Sequence, residues 1–149
     1  MDLRLKRILL VEDSPNDVEL TLEALSEHNI ANAVEVAIDG QEALDYLRYQ
    51  GKYADRQEGN PAVILLDLKL PKINGIEVLR EIRADDKLKL IPVVVLTSSH
   101  EEKDRVTSYN LGVNAYVVKP VNFPAFIDAV KTLGIFWAII NEPPPGSVH

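Results

Sequence analysis

Residues capable of chemistry stand at the ends of separate apolar runs in this chain. Glu12 and Asp13 follow Ile8-Leu9-Leu10-Val11, and Asp67 follows Val63-Ile64-Leu65-Leu66. Thr97 and Ser98 follow Val93-Val94-Val95-Leu96, and Lys119-Pro120 follows Ala115-Tyr116-Val117-Val118. Singly, each has an ordinary explanation. An acid after a strand often forms a turn, a hydroxyl there often caps a helix, and a lysine before proline often lies on the surface. Together they point further. Like charges ~4 Å apart cost about 4 kcal/mol at an effective dielectric of 20, so three clustered carboxylates call for a cation. The donors are all oxygen, which selects a hard ion such as Mg²⁺. A carboxylate beside Mg²⁺, a lysine and a hydroxyl suits phosphoryl acceptance. Metal and lysine neutralise the oxygens of a loose phosphoryl transition state, and the hydroxyl donates one more hydrogen bond. A carboxylate nucleophile then yields an aspartyl phosphate.

The elements that must position these groups are legible in the hydrophobic pattern. Strands are predicted over residues 7–11, 33–38, 62–66, 92–96 and 115–118. The third and fourth are almost wholly apolar, as strands covered on both faces are, which implies a parallel sheet under helices. Val18, Leu22 and Leu25 share one helical face, with Ser14 as N-cap, Pro15 at the first helical position and Asp17 in the first turn. A short second helix is predicted over 41–49. Ile76, Leu79 and Ile82 line a third, opened by Asn74-Gly75. Ser99 and Glu102 have capping-box spacing for a fourth. Asn122-Phe123-Pro124 opens a fifth, with Phe126, Val130, Leu133 and Trp137 on one face. Five βα units with right-handed crossovers give an α/β, doubly wound, open parallel sheet. Its site lies beyond the carboxyl ends of the strands, where the chemistry-bearing residues fall.

Composition narrows the function classes. The chain has 149 residues, 46% of them apolar, which suits one domain with a real core. Sixteen basic against 23 acidic residues give a net charge of −7, opposite to the basic stripe of a nucleic-acid binder. The same sign disfavours anionic membranes. Cysteine is absent, excluding disulfides and thiolate chemistry and fitting a reducing cytoplasm. The near-apolar stretch 133–140 is far short of the ~20 residues of a membrane span. One domain is expected over 1–140. A tail over 141–149 contains Pro143-Pro144-Pro145, which favours an extended conformation. No output domain is expected. A polar excursion over 49–60 interrupts the βα pattern.

Leu10-Val11-Glu12-Asp13-Ser14, Leu65-Leu66-Asp67-Leu68-Lys69-Leu70-Pro71, Asn74-Gly75, Val95-Leu96-Thr97-Ser98 and Tyr116-Val117-Val118-Lys119-Pro120 resemble the receiver domain of bacterial two-component response regulators, the CheY-like family. The resemblance runs from about residue 6 to about 133. It implies a flavodoxin-like, CheY-like sheet of strand order 2-1-3-4-5. It implies that Asp67 accepts a phosphoryl group from the phosphohistidine of a sensor histidine kinase. Glu12, Asp13, Asp67 and the backbone carbonyl of Lys69 would hold Mg²⁺. Thr97 and Lys119 would bind phosphoryl oxygens, and Tyr116 would be an aromatic switch following Thr97. The Lys119–Pro120 bond would be cis. Such a protein is a phosphoacceptor rather than an enzyme acting on separate substrates. The segment 49–60, the run Thr97-Ser98-Ser99 and the pair Phe136-Trp137 are similar to the small response regulators paired with bacterial phytochromes. That similarity implies red/far-red light as the input. Lys69, two after the acceptor, is expected to shield the acyl phosphate from water.

The signal is expected to leave through the face of the fourth helix, fifth strand and fifth helix. Phe126, Phe136 and Trp137 are expected to make that face a homodimer interface. Rival readings fit less well. A flavin binder needs a phosphate loop after the first strand, where Glu12 and Asp13 would repel phosphate. A dehalogenase-type phosphatase needs an acid where Lys69 stands. A receiver-like scaffold that is never phosphorylated has no need of the intact residue set.

Overall fold

Alternating short apolar strands and amphipathic helices build a single five-stranded sheet in the computed structural model. It describes residues 7–26, 34–56, 59–98, 100–108, 110–113 and 115–134. The strands are β1 (Ile8–Val11), β2 (Val34–Ala37), β3 (Val63–Asp67), β4 (Val93–Thr97) and β5 (Ala115–Val118). The helices are α1 (Pro15–Ser26), α2 (Gly40–Arg48), α3 (Gly75–Ala84), α4 (His100–Ser108) and α5 (Phe123–Thr132). All pairings are parallel and the order is β2-β1-β3-β4-β5, as the resemblance implies.

Strand alternation sends side chains to two cores. Leu9, Val11, Ile64, Leu66, Val93 and Val95 pack beneath α2, α3 and α4, against Leu44, Leu79, Ile82 and Val106. Ile8, Leu10, Val63, Leu65, Val94 and Leu96 face the other way, against Leu25 of α1 and Phe126, Ile127 and Val130 of α5. The period of two divides each apolar run between opposite faces, which is why these strands carry no polar interior position.

Side-chain caps fix where helices begin. Ser14 Oγ accepts from the Asp17 N–H at 3.2 Å, and Asp39 Oδ1 from the Glu42 N–H at 2.7 Å. Asn74 Oδ1 accepts from Glu77 N–H at 3.0 Å, and Asn122 Oδ1 from Ala125 N–H at 2.9 Å. The second helix starts at Gly40 rather than 41 and ends at Arg48, because Asp39 caps it and Tyr49 turns left-handed at φ 58°. Gly40 has no room for a side chain: a Cβ there would lie 2.2 Å from the Ile73 carbonyl oxygen.

The segment 49–60 is not simply a polar excursion. Gly51–Tyr53 forms one 3-10 turn, and Tyr53 is buried in the core. Its ring meets Tyr46 edge to face at 5.1 Å, and its hydroxyl donates to Glu42 Oε1. The Arg56 guanidinium lies over the rings of Tyr46 and Tyr49, at 4.1 and 3.9 Å. Aromatic anchors flanked by charged residues disguise an ordered segment as a loop. Residues 57 and 58 lie outside the described set.

Phe126 requires a correction. Its side chain is fully buried in the core between α5 and the sheet, so it offers no area to a partner. Phe136, Trp137 and the tail 141–149 lie outside the described residues. Among those described, no helix is long and apolar enough to cross a membrane.

Candidate functional site

Parallel register gathers the chemical residues. Val11 is level with Leu66, Asp67 with Leu96, and Thr97 with Val118. The ladder continues past the strands: Glu12 N–H donates to Ala37 O at 2.9 Å and Lys119 N–H to Thr97 O at 2.8 Å. Glu12, Asp67, Thr97 and Lys119 therefore share one sheet edge. Asp67 and Thr97 are the last residues of β3 and β4 rather than the first beyond them, since each still occupies a paired position.

Glu12, Asp13 and Asp67 each place a carboxylate oxygen within 4.8 Å of the others. Glu12 and Asp67 are buried, whereas Asp13 is exposed. Burial and the neighbouring Asp67 carboxylate disfavour the charged form of Glu12 and push its pKa up to about 7. Ser14 N–H donates to Glu12 Oε2 at 3.2 Å, and Lys69 N–H donates to Asp67 Oδ1 at 3.2 Å.

Lys119 supplies the positive charge. Its Nζ donates to Asp67 Oδ2 at 3.0 Å and to Asp17 Oδ2 at 3.1 Å. Glu12 Oε1 lies 2.7 Å away, an ion pair without hydrogen-bond alignment. Burial opposes the ammonium charge, but the carboxylates outweigh burial and hold its pKa above the ordinary lysine value. The Lys119–Pro120 peptide bond is cis. Asp17 was legible only as a first-turn acid, favourable to the helix dipole. Its position three residues after the Ser14 cap puts it in the first turn of α1, next to the end of β1.

Thr97 Oγ1 is fully buried and finds no hydrogen-bond partner among the described residues. A buried hydroxyl left without a partner costs about 1–3 kcal/mol, so the group calls for a physical explanation. Tyr116 is half-buried and packs on α4. Its hydroxyl is 3.0 Å from Thr107 Oγ1 and donates to Val113 O at 3.2 Å; Lys103 Nζ stands 5.2 Å from its ring centre. Glu102 of α4 is a second participant that spacing marked only as a cap. It accepts from Ser98 Oγ at 2.9 Å and pairs with Lys69 Nζ at 3.8 Å, linking the β3–α3 loop to α4.

Three carboxylates, a lysine and a threonine hydroxyl without a partner among the described residues come together at the ends of parallel strands. The chain belongs to the response regulator receiver domain family, which it matches over residues 8–131. It is thus a component of two-component phosphorelay signalling, a phosphoacceptor rather than an enzyme that turns over separate substrates. It is similar to the bacteriophytochrome response regulator RtBRR: 62% identical, TM-score 0.86, covering 97% of this chain and 87% of that one. It is also similar to the bacteriophytochrome response regulator AtBRR: 60% identical, TM-score 0.87, covering 90% of this chain and 96% of that one. A curated relative, response regulator Rcp1 of Synechocystis sp., is 45% identical over 132 residues, 89% of this chain and 88% of its own.

The acidic cluster fits the magnesium ion that this family implies. The donor set is oxygen only, two of the three carboxylates are buried, and burial together with the adjoining Asp67 carboxylate already raises the pKa of Glu12.

Proposed function

We propose that Asp67 accepts a phosphoryl group from a sensor histidine kinase of the phytochrome type, with Mg²⁺ bound by Glu12, Asp13, Asp67 and the Lys69 carbonyl. The supporting observation is the Asp67 carboxylate itself. It lies in a three-carboxylate cluster, bonded to Lys119, at the edge that also carries the Thr97 hydroxyl, which has no partner among the described residues. An Asp67 oxygen bonds to phosphorus as the phosphohistidine P–N bond breaks, and the electron pair leaves with the imidazole. Lys119 moves its hydrogen bond to a phosphoryl oxygen, and Thr97 donates another. Bound magnesium supplies charge neutralisation of the phosphoryl oxygens. The phytochrome-type donor is supported by the likeness to RtBRR and AtBRR, two bacteriophytochrome response regulators.

The switch begins at Thr97. Drawing its hydroxyl toward the phosphate opens space beside β4, and Tyr116 leaves Thr107 and Val113 to fill it. The surface of α4, β5 and α5 then changes shape, and a protein contact reads it. Val118 of β5 is exposed there. A second copy of the chain is the proposed partner, in a cytoplasmic setting. Acetyl phosphate with Mg²⁺ should add one phosphoryl mass to the wild type and none to Asp67→Asn. Equal labelling of both by mass spectrometry would remove Asp67 from its role.

A further inference from the structure

Lys119 is gripped from two directions. One aligned hydrogen bond runs to the sheet, at Asp67 Oδ2, and the other to α1, at Asp17 Oδ2. The Glu12 contact is close but not aligned. The Asp17 side chain is about one-third exposed, against near-complete burial of Glu12 and Asp67. Its backbone is fixed by the Ser14 cap, so the carboxylate starts from a defined place in the first turn of α1.

We propose that Asp17 is a positioning residue for phosphoryl transfer: it tethers the Lys119 ammonium while the lysine exchanges its Asp67 bond for a phosphoryl oxygen. The inference rests on Asp67 being the acceptor. In the transfer, the Asp67 oxygen–phosphorus bond forms and the donor's bond to phosphorus breaks, its electron pair departing with the leaving group. Asp67 Oδ2 thereby loses charge and becomes a weaker acceptor. Lys119 must let go at the moment its charge is needed by the phosphoryl oxygens. Asp17 then keeps an aligned hydrogen bond to the ammonium from outside the acidic cluster, beside the Glu12 ion pair within it. With it, the ammonium pivots; without it, the flexible four-carbon stem must find the new acceptor unaided, and it settles more deeply on Glu12 and Asp67 beforehand.

Asp17 also carries a charge that repels an incoming phosphoryl group. That effect has the opposite sign, so the direction of the rate change separates the two. The test uses acetyl phosphate and Mg²⁺, a donor too small to dock on α1, with label at Asp67 followed in time for wild type, Asp17→Asn and Asp17→Glu. A partly exposed charge pair at this strength corresponds to a rate about fivefold lower for Asp17→Asn. Asp17→Glu, which keeps the charge, should recover at least half of the loss. Equal or faster labelling of Asp17→Asn overturns the inference, as does a slowing that Asp17→Glu fails to relieve. A wild type that takes up no label fails the acceptor reading instead, which keeps the two failures distinct.

Discussion

Gly75 presses directly on the backbone of Asp67. A Cβ at Gly75 would lie 2.5 Å from the Asp67 carbonyl oxygen and 2.6 Å from Leu68 Cα. The Gly75 N–H donates to Leu68 O at 3.0 Å, closing the approach. The first residue of α3 thus sets the height of the strand end that presents Asp67. In an open helix, glycine to alanine is favourable by about 1 kcal/mol. Here the neighbours are backbone atoms and cannot rotate aside. Gly75→Ala should therefore destabilise by about 1–3 kcal/mol in urea unfolding and slow labelling of Asp67. A more stable variant with normal labelling would show that the loop yields freely.

Thr97→Val should separate stability from signalling. Valine has nearly the same shape and removes a buried hydroxyl that has no partner among the described residues. Urea unfolding of the unphosphorylated protein should show no loss, or a gain of up to about 1–2 kcal/mol. The phosphorylated state loses a hydrogen bond, so the Asp67 phosphate should form more slowly and Tyr116 should keep its resting fluorescence after labelling. A clear loss of stability in Thr97→Val would mean that the hydroxyl is already engaged.

Asp39 should give a pH-dependent cap. Burial opposes its charge, but the Glu42 N–H and Lys72 outweigh burial and lower its pKa below the ordinary 3.8. A lowered pKa means the folded state prefers the carboxylate. The stabilisation is present above pH 3.8 and fades as acid protonates the folded group. Asp39→Ala should cost about 1 kcal/mol near neutrality. The gap between variant and wild type should close below pH 3.8. A gap independent of pH would assign the effect to packing.

Glu12 should link metal binding to protons. Its pKa of about 7 means that a proton must leave before the carboxylate can coordinate. Calorimetric Mg²⁺ affinity should therefore rise with pH up to about 7 and level off beyond it. The metal-free protein should behave in the opposite sense. A raised carboxyl pKa stabilises the fold below 4.5, and that contribution is lost as pH rises through 7. Flat metal affinity across this range would show that Glu12 is ionised throughout.

Lys69 should govern how long the phosphate lasts. Its ammonium is mostly exposed and stands 3.8 Å from Glu102 across the mouth of the site. Lys69→Ala opens that bridge and admits water to the acyl phosphate. The half-life of labelled Asp67 should fall by about two- to fivefold, the scale of an exposed ion pair. An unchanged half-life would confine Lys69 to its backbone role.

The chain's alternation of apolar runs and helical stripes was enough to specify a parallel sheet, and the residue after each run was enough to name Glu12, Asp67, Thr97 and Lys119. Both are local signals: strand period, helix period and the rule that sites form at carboxyl ends of strands. The Ser14 cap was legible for the same reason, since it bonds only three residues ahead, whereas Asn74 and Asn122 read as helix openings and prove to be caps of the same span. Tertiary structure alone decided the rest. Asp17 joins Lys119 from 102 positions away, Glu102 meets Lys69 across two elements, and Gly75 touches Asp67 through backbone atoms. Phe126 reads as apolar in sequence whether it faces a partner or the core, and only the packing of α5 on the sheet resolves it. Side-chain type fixes what a residue can do, whereas the direction it faces depends on how the elements dock, and docking is a property of the whole chain.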